Sequence, residues 1–301
     1  MSKMYKCRFI TGFAIFLLAA CTNQNDKVES EELSVLVSVV PQKYFVEKIA
    51  GGLAEVTVLI PPGASPPAYE LSPSDMRRVS EADVWFTIGL QRENTWITRF
   101  SSLNEHLRIA STIKDVQRLP IGRYGIPGEN TAHDHDHEHG DIDPHVWLSP
   151  ELVSFQAVVI HENLCDIDPD NSEIYTDNLA LFLGEIGDLQ NGIHRLLDVY
   201  AGEGFMVFHP AWGYFADEFN LIQIPIEISG SEPSPAEMAR LVDFGRSSSV
   251  KVVFVSPQFS ESSAETIAGE LNARVIFIDP LALNWNENLL SVAGELAAAM
   301  E

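Results

Sequence analysis

The chain has 301 residues, 46% apolar and 21% charged, so most of it can bury a globular core, as about two domains or one large one. Nineteen Lys and Arg stand against 43 Asp and Glu, a formal charge of −24. That balance excludes a general electrostatic surface for nucleic acid or anionic lipid and suits a soluble, cation-attracting protein, and three Cys are too few for a disulfide scaffold.

Lys3, Lys6 and Arg8 precede an apolar run from Phe9 to Leu18, followed by Ala19-Ala20-Cys21. A basic start, a short apolar middle and small residues before a cut site make residues 1–20 a secretory signal peptide. The apolar run falls short of the about 20 residues that a membrane span needs. Cys21 directly after Ala-Ala resembles a bacterial lipobox, in which the Cys is acylated and becomes the first mature residue; simple secretion is the alternative. Residues 21–32 then read as a lipidated Cys and a polar, acidic, flexible tether. Cleavage leaves a mature charge of −27 and Cys165 without a disulfide partner, which suits a small buried hydrophobe.

Leu33–Val40 is a β-rich apolar run, and Pro41 opens an amphipathic helix that stops at Gly51-Gly52. Glu55–Ile60 is a second strand, followed by a Pro/Gly loop over 61–73. A short helix over 74–81, a strand over 83–88, a helix over 94–103 and a short strand over 107–110 complete the first half. This alternation predicts a parallel sheet covered on both faces. From about 115 to 148 the pattern stops, and a loop of that length points to function or disorder.

Pro150–Cys165 reads as helical, and 171–200 as a longer helix with Leu179, Leu183, Ile186, Leu189, Ile193 and Leu197 at 3–4-residue spacing. The second half repeats the alternation, with strands over 204–208, 221–226, 251–255 and 274–278. Ser234-Pro235-Ala236-Glu237 forms a capping box with Pro at the first helical position, opening a helix over 235–248. The expected organisation is an N-terminal α/β lobe over 33–150 with a loop over 115–144, a helical linker over 151–200 and a C-terminal α/β lobe over 201–301.

Three residues carry a candidate metal site. His145 lies in Asp143-Pro144-His145-Val146-Trp147; His209 follows the strand Gly204–Phe208; Asp279 follows the strand Arg274–Ile278. Open α/β sheets bind ligands beyond the carboxyl ends of their strands, and imidazole and carboxylate are ordinary ligands for zinc and related divalent ions. Taken singly, a His after a strand is usually a loop or packing residue, and an Asp before Pro a turn starter. His106, His161 and His194 have no such setting and read as surface or helix residues. His133, His135, His137 and His139 alternate with carboxylates, a pattern that no helix face or core uses. The tract is either a solvated low-complexity loop or a low-affinity metal-capture device. In the second case capture weakens below about pH 6, near the unperturbed His pKa of about 6.5.

Together these pieces resemble the metal-binding solute-binding proteins of bacterial zinc and manganese ABC importers, the ZnuA/TroA type. The resemblance covers residues 33–300 and rests on VSVVPQKYFVEKIAGG, PPGASPPAYELSPSD, the His/acid tract before DPHVWLSP, the Asp168–Asn178 segment, FHPAWGYFADEF and VSPQFS…VIFIDPLA in that order. It implies an α/β fold of two Rossmann-like lobes with central parallel sheets, joined by a long rigid backbone helix, with one ion between the lobes. His145, His209 and Asp279 match three family ligands, whereas Pro67 stands where the family has a His. A tract imidazole, a water or Glu70 from the same loop completes the site, or the site is weakened.

The resemblance implies a high-affinity zinc carrier, with manganese second. It would be a monomer that works with a permease and an ATPase, reached by export across the bacterial inner membrane, and it would touch a membrane only through its lipid, at the periplasmic face or cell surface. The rivals are a secreted zinc hydrolase with three protein ligands and an open position, for which no HExxH helix appears, and a metal-binding adhesin lipoprotein.

Overall fold

The computed structural model describes residues 32–121, 142–228, 230–257 and 262–301. Two four-stranded parallel sheets form the frame. The first contains β1 (Leu33–Val37), β2 (Ala54–Val58), β3 (Val84–Thr87) and β4 (Arg108–Ser111) in the order β2-β1-β3-β4. The second contains β5 (Gly204–Val207), β6 (Ile222–Pro225), β7 (Val252–Val255) and β8 (Arg274–Phe277) in the order β6-β5-β7-β8. In each sheet the chain first winds one way and then the other, which leaves a switch point between the two central strands, β1/β3 and β5/β7.

The strands run shorter than the apolar runs that encode them, because the ladder ends where the chain turns into the next helix. Thus α1 (Val40–Ala50) takes over the last residue of the predicted first strand, carries Pro41 in its first turn and ends at Gly51, whose φ of 60° favours glycine. α2 (Pro73–Glu81) is opened by Ser72, whose hydroxyl accepts from the Asp75 N–H while the Asp75 carboxylate accepts from the Ser72 N–H at 2.7 Å. α3 (Gln91–Leu103) starts three residues earlier than expected, because Glu93 reaches back to three backbone N–H groups: Ile88 (2.9 Å), Gly89 (2.6 Å) and Leu90 (3.0 Å). The Ser38 hydroxyl at the end of β1 donates to the same carboxylate. Gly89 has a φ of +82°, and a Cβ there would lie 2.4 Å from the Ile113 side chain, so only glycine fits this turn.

Two helices join the sheets. α4 (Pro150–Ile167) and α5 (Ser172–Leu197) form an antiparallel hairpin. At 26 residues α5 spans about 39 Å. Its buried stripe is Tyr175, Phe182, Ile186, Leu189, Ile193 and Leu197; Leu179 and Leu183, expected inside, are half-buried beside it. The stripe turns because two aromatic residues, with more surface to hide, take the inner positions. In the second sheet's layers, α6 (Gly213–Glu218) and α9 (Trp285–Met300) join the spine side, and α7 (Pro235–Ser247) and α8 (Ser262–Leu271) cover the other face.

The core is continuous across the two sheets. One cluster runs from β1, α1 and β3 through α4 and α5 to Trp212, Phe215 and α9; a second, smaller one lies under α7 and α8. At the junction Phe45 of α1 meets Trp285 of α9 edge to face, with ring centroids 5.1 Å apart, and both touch Phe182 of α5. The sheets are therefore welded through the helical spine by shared apolar burial. Among the described residues no helix is long and apolar enough to cross a membrane.

Candidate metal centre

His209 is placed by β5. The strand is central in its sheet, and backbone bonds continue past its end: Phe208 N–H donates to Phe254 (3.1 Å), and Ile226 and Glu227, just past β6, donate to Val207 (2.8 Å) and Phe208 (3.1 Å). This parallel register sets Glu227 beside His209, and the His209 Nδ1 lies 2.8 Å from the Glu227 carboxylate. His145 is placed by a 3-10 turn over Val146–Leu148, and its Nδ1 lies 2.7 Å from the Asp143 carboxylate, which also accepts the His145 N–H at 2.9 Å. The side chains of Asp143 and Glu227 are 3% and 7% exposed, so neither carboxylate has water enough to replace its histidine partner.

The two rings meet edge to face, with centroids 5.2 Å apart and planes at 75°. An ionised carboxylate only accepts, so the Nδ1 of each ring is the donor in its bond to Asp143 or Glu227. A carboxylate behind the ring is the usual support of a metal-binding imidazole, because it fixes the ring's orientation.

The structure brings His145 and His209 together. Asp279 lies just beyond β8, where its carboxylate accepts the Leu281 N–H at 2.9 Å and its carbonyl accepts from Asn288 at 2.9 Å. Among the described residues no three His, Cys, Asp or Glu side chains form a cluster able to hold an ion as they stand. Glu70, the candidate neighbour for the fourth position, is engaged elsewhere: Arg92 donates to its carboxylate at 2.8 Å and to the Pro67 carbonyl at 2.6 Å, locking the loop to α3. The tract residues His133, His135, His137 and His139 and the lipidation candidate Cys21 lie outside the described residues.

Cys165 is half-buried rather than fully buried, with its sulfur 3.4 Å from His161 Nε2 near the C-terminal end of α4, and burial with Asp166 and Asp168 nearby pushes its thiol pKa up. His161 also bonds Thr176, and His194 bonds Asp198 and packs on Phe219, as surface and helix residues do.

Besides the role of Asp143, sequence reading missed four residues around the site. Glu227 was findable as an acid just past a strand end at the edge where His209 emerges. Tyr214, Glu218 and Gly213 carry no local signal, because each acts on a partner far along the chain. The Tyr214 hydroxyl donates to the Asp143 carbonyl at 3.0 Å and accepts the Leu119 N–H at 3.0 Å, closing both ends of the long loop on α6. Glu218 accepts from the Ser149 hydroxyl (2.5 Å), the Glu151 N–H (3.2 Å) and Gln190 (2.8 Å). Its burial pushes the carboxyl pKa up against the pull of these donors. The segment 143–149, which the sequence assigns to the N-terminal lobe, thus bonds to side chains of the C-terminal half.

Two doubly wound parallel lobes on a helical spine, with paired imidazoles oriented at the carboxyl edge of one sheet, define the class: a zinc- and manganese-type metal-binding solute-binding protein. The chain belongs to the ZnuA family, described as zinc-uptake complex component A, periplasmic, whose family model matches residues 35–296. The high-affinity zinc uptake system protein ZnuA of Yersinia pestis is 30% identical over 267 residues, covering 82% of this chain and 83% of its own. The manganese-binding lipoprotein MntA of Halalkalibacterium halodurans is 28% identical over 271 residues, covering 88% and 85%. A crystal structure of ZnuA superposes with a TM-score of 0.81 at 38% identity, covering 90% of this chain and all of its own. Members of this family are metal-binding components of ABC importers that work with a permease and an ATPase; they are not enzymes, which sets the hydrolase reading aside.

Proposed function

We propose that this chain captures zinc outside the cytoplasm and hands it to the permease of an ABC importer. The supporting observation is the His145–His209 pair, two imidazoles in edge-to-face contact with a buried carboxylate holding the Nδ1 of each. Two nitrogen donors favour zinc over manganese, which prefers oxygen. Asp279 supplies charge and the third ligand. Water or another exogenous ligand takes the position that Pro67 leaves without a donor, since Arg92 occupies Glu70. The His133–His139 tract captures zinc weakly, apart from the tight ligand set. Cys21 carries the lipid, and the mature chain acts as a monomer at the membrane surface. Loaded and empty protein differ in what they present to the permease, and that difference drives transfer.

The test is chelator-competition titration of the mature protein with zinc and with manganese, alongside His209→Ala and Asp279→Ala. One tight zinc equivalent, lost in His209→Ala and weakened in Asp279→Ala, is the expected result. Manganese bound more tightly than zinc would overturn the zinc assignment. Zinc binding indifferent to His209 would overturn the site.

A further inference from the structure

α6 touches the His145 segment at both ends and begins four residues after His209 in the chain. Upstream of His145, Tyr214 holds the Asp143 carbonyl, and the bare backbone of Gly213 makes room for the Asp143 carboxylate: a Cβ there would lie 2.8 Å from Asp143 Oδ2. Downstream, Glu218 holds Ser149, the N-cap of α4, and Glu151 in its first turn. The helix is itself fixed. Trp212 N–H donates to Gln223 of β6 at 2.6 Å, Phe215 packs between Trp212 and Phe219 with centroids at 5.6 and 4.8 Å, and Gln190 of α5 anchors Glu218.

From this arrangement we propose that Gly213, Tyr214 and Glu218 are positioning residues for metal capture: together they make α6 the spacer that sets His145 against His209. None of the three touches metal in the reading above, on which this inference rests. Their work is to fix a distance. His209 leaves β5 and the chain enters α6 four residues later; α6 then clamps the stretch Asp143–Ser149 at two points, so the spacing between the imidazoles follows from one short, buried helix. Metal ligands held from distant parts of a chain keep their geometry only when their supports are fixed in this way.

The experiment measures zinc affinity by chelator competition and the visible absorption of the cobalt(II)-loaded protein, together with the melting temperature of the metal-free protein. Tyr214→Phe removes one oxygen and Gly213→Ala adds one carbon. Both should weaken zinc binding about tenfold or more and alter the cobalt absorption, which reports ligand geometry. Both also lower the metal-free melting temperature, because buried groups lose partners or crowd, so Ser234→Ala, destabilised at the N-cap of α7 instead, serves as the control that keeps affinity and spectrum. Glu218→Ala should behave likewise, with Glu218→Gln, which retains an acceptor for Ser149, recovering part of the loss. Unchanged affinity and spectrum in Tyr214→Phe and Gly213→Ala, when the unaltered chain binds zinc, overturn the inference and leave the proposed function standing. An equal loss of affinity in Ser234→Ala, which would tie the effect to stability alone, overturns it too. An unaltered chain that binds no zinc removes the proposed function and this inference together.

Discussion

The indole N–H of Trp147 donates to the carbonyl of Pro280 at 2.7 Å, which joins the segment after His145 to the residue after Asp279. The link is doubled, since the Trp285 indole donates to the Trp147 carbonyl at 2.6 Å. All three residues are buried, so no water substitutes for either bond. Two indoles therefore tie the neighbourhoods of His145 and Asp279 that strand order alone leaves separate.

Trp285→Phe keeps most of the apolar surface and removes the donor. It leaves the Trp147 carbonyl unpaired in a buried site, a cost of about 1–3 kcal/mol. Urea unfolding should show that loss as a lower midpoint with unchanged slope. A midpoint equal to that of the unaltered chain means the bond contributes nothing.

Glu227→Gln replaces a charged acceptor by a neutral one beside His209. Zinc affinity should fall by about 10–100-fold, the usual effect of removing a carboxylate behind a metal-binding imidazole, with little change in thermal stability. Titration against a competing chelator measures it, and affinity equal to the unaltered chain would deny Glu227 any part in metal binding.

Glu93 gives a pH prediction. Burial pushes its carboxyl pKa above the ordinary value, against the pull of Ser38 and the Ile88, Gly89 and Leu90 N–H groups. The folded state then binds the proton more tightly than the unfolded state. Its stabilising contribution is full below the unfolded pKa, about 4.3, and is lost as pH rises through the elevated folded value. Chemical unfolding from pH 4 to pH 8 should show a smaller decline with rising pH for Glu93→Gln than for the unaltered chain. Parallel curves would show that Glu93 titrates alike in both states.

At the start of α7, Ser234 and Glu237 cap each other as their spacing predicts, with the Ser234 N–H donating to the Glu237 carboxylate at 2.7 Å. Ser234→Ala should lower stability by about 1 kcal/mol, a typical N-cap loss, without altering zinc affinity. A thermal melt together with the zinc titration separates the two effects, and a change in affinity would show that α7 communicates with the site.

Deleting residues 133–139 should reduce the number of weakly held zinc ions per chain and leave the tight equivalent in place. Metal stoichiometry at saturating zinc, followed by extensive dialysis, distinguishes the two populations. Loss of the tight equivalent would place a tract imidazole in the main site.

Much of the architecture was legible because its signals are local. Apolar runs bounded by Pro and Gly marked the strands, the capping box at Ser234 marked α7, and the recurrence from Ile186 to Leu197 marked α5. The α5 stripe went astray at its first half, where the period alone chose Leu179 and Leu183 while the greater burial of Tyr175 and Phe182 decided which face turned inward. The start of α3 was misjudged because it depends on the Glu93 side chain, which reaches back to the chain's own preceding turn.

The sequence by itself determined the helix and strand alternation, the two-sheet plan and the presence of His209 and Asp279 just beyond strand ends, because each follows from residue spacing over a turn or a strand. Only the tertiary structure decided that Asp143 and Glu227 orient the two imidazoles, that Arg92 occupies Glu70, and that α6 clamps the His145 segment. Those contacts depend on parallel register and on packing between segments far apart in the chain, and one residue's identity does not encode the distance to a partner that folding alone brings near.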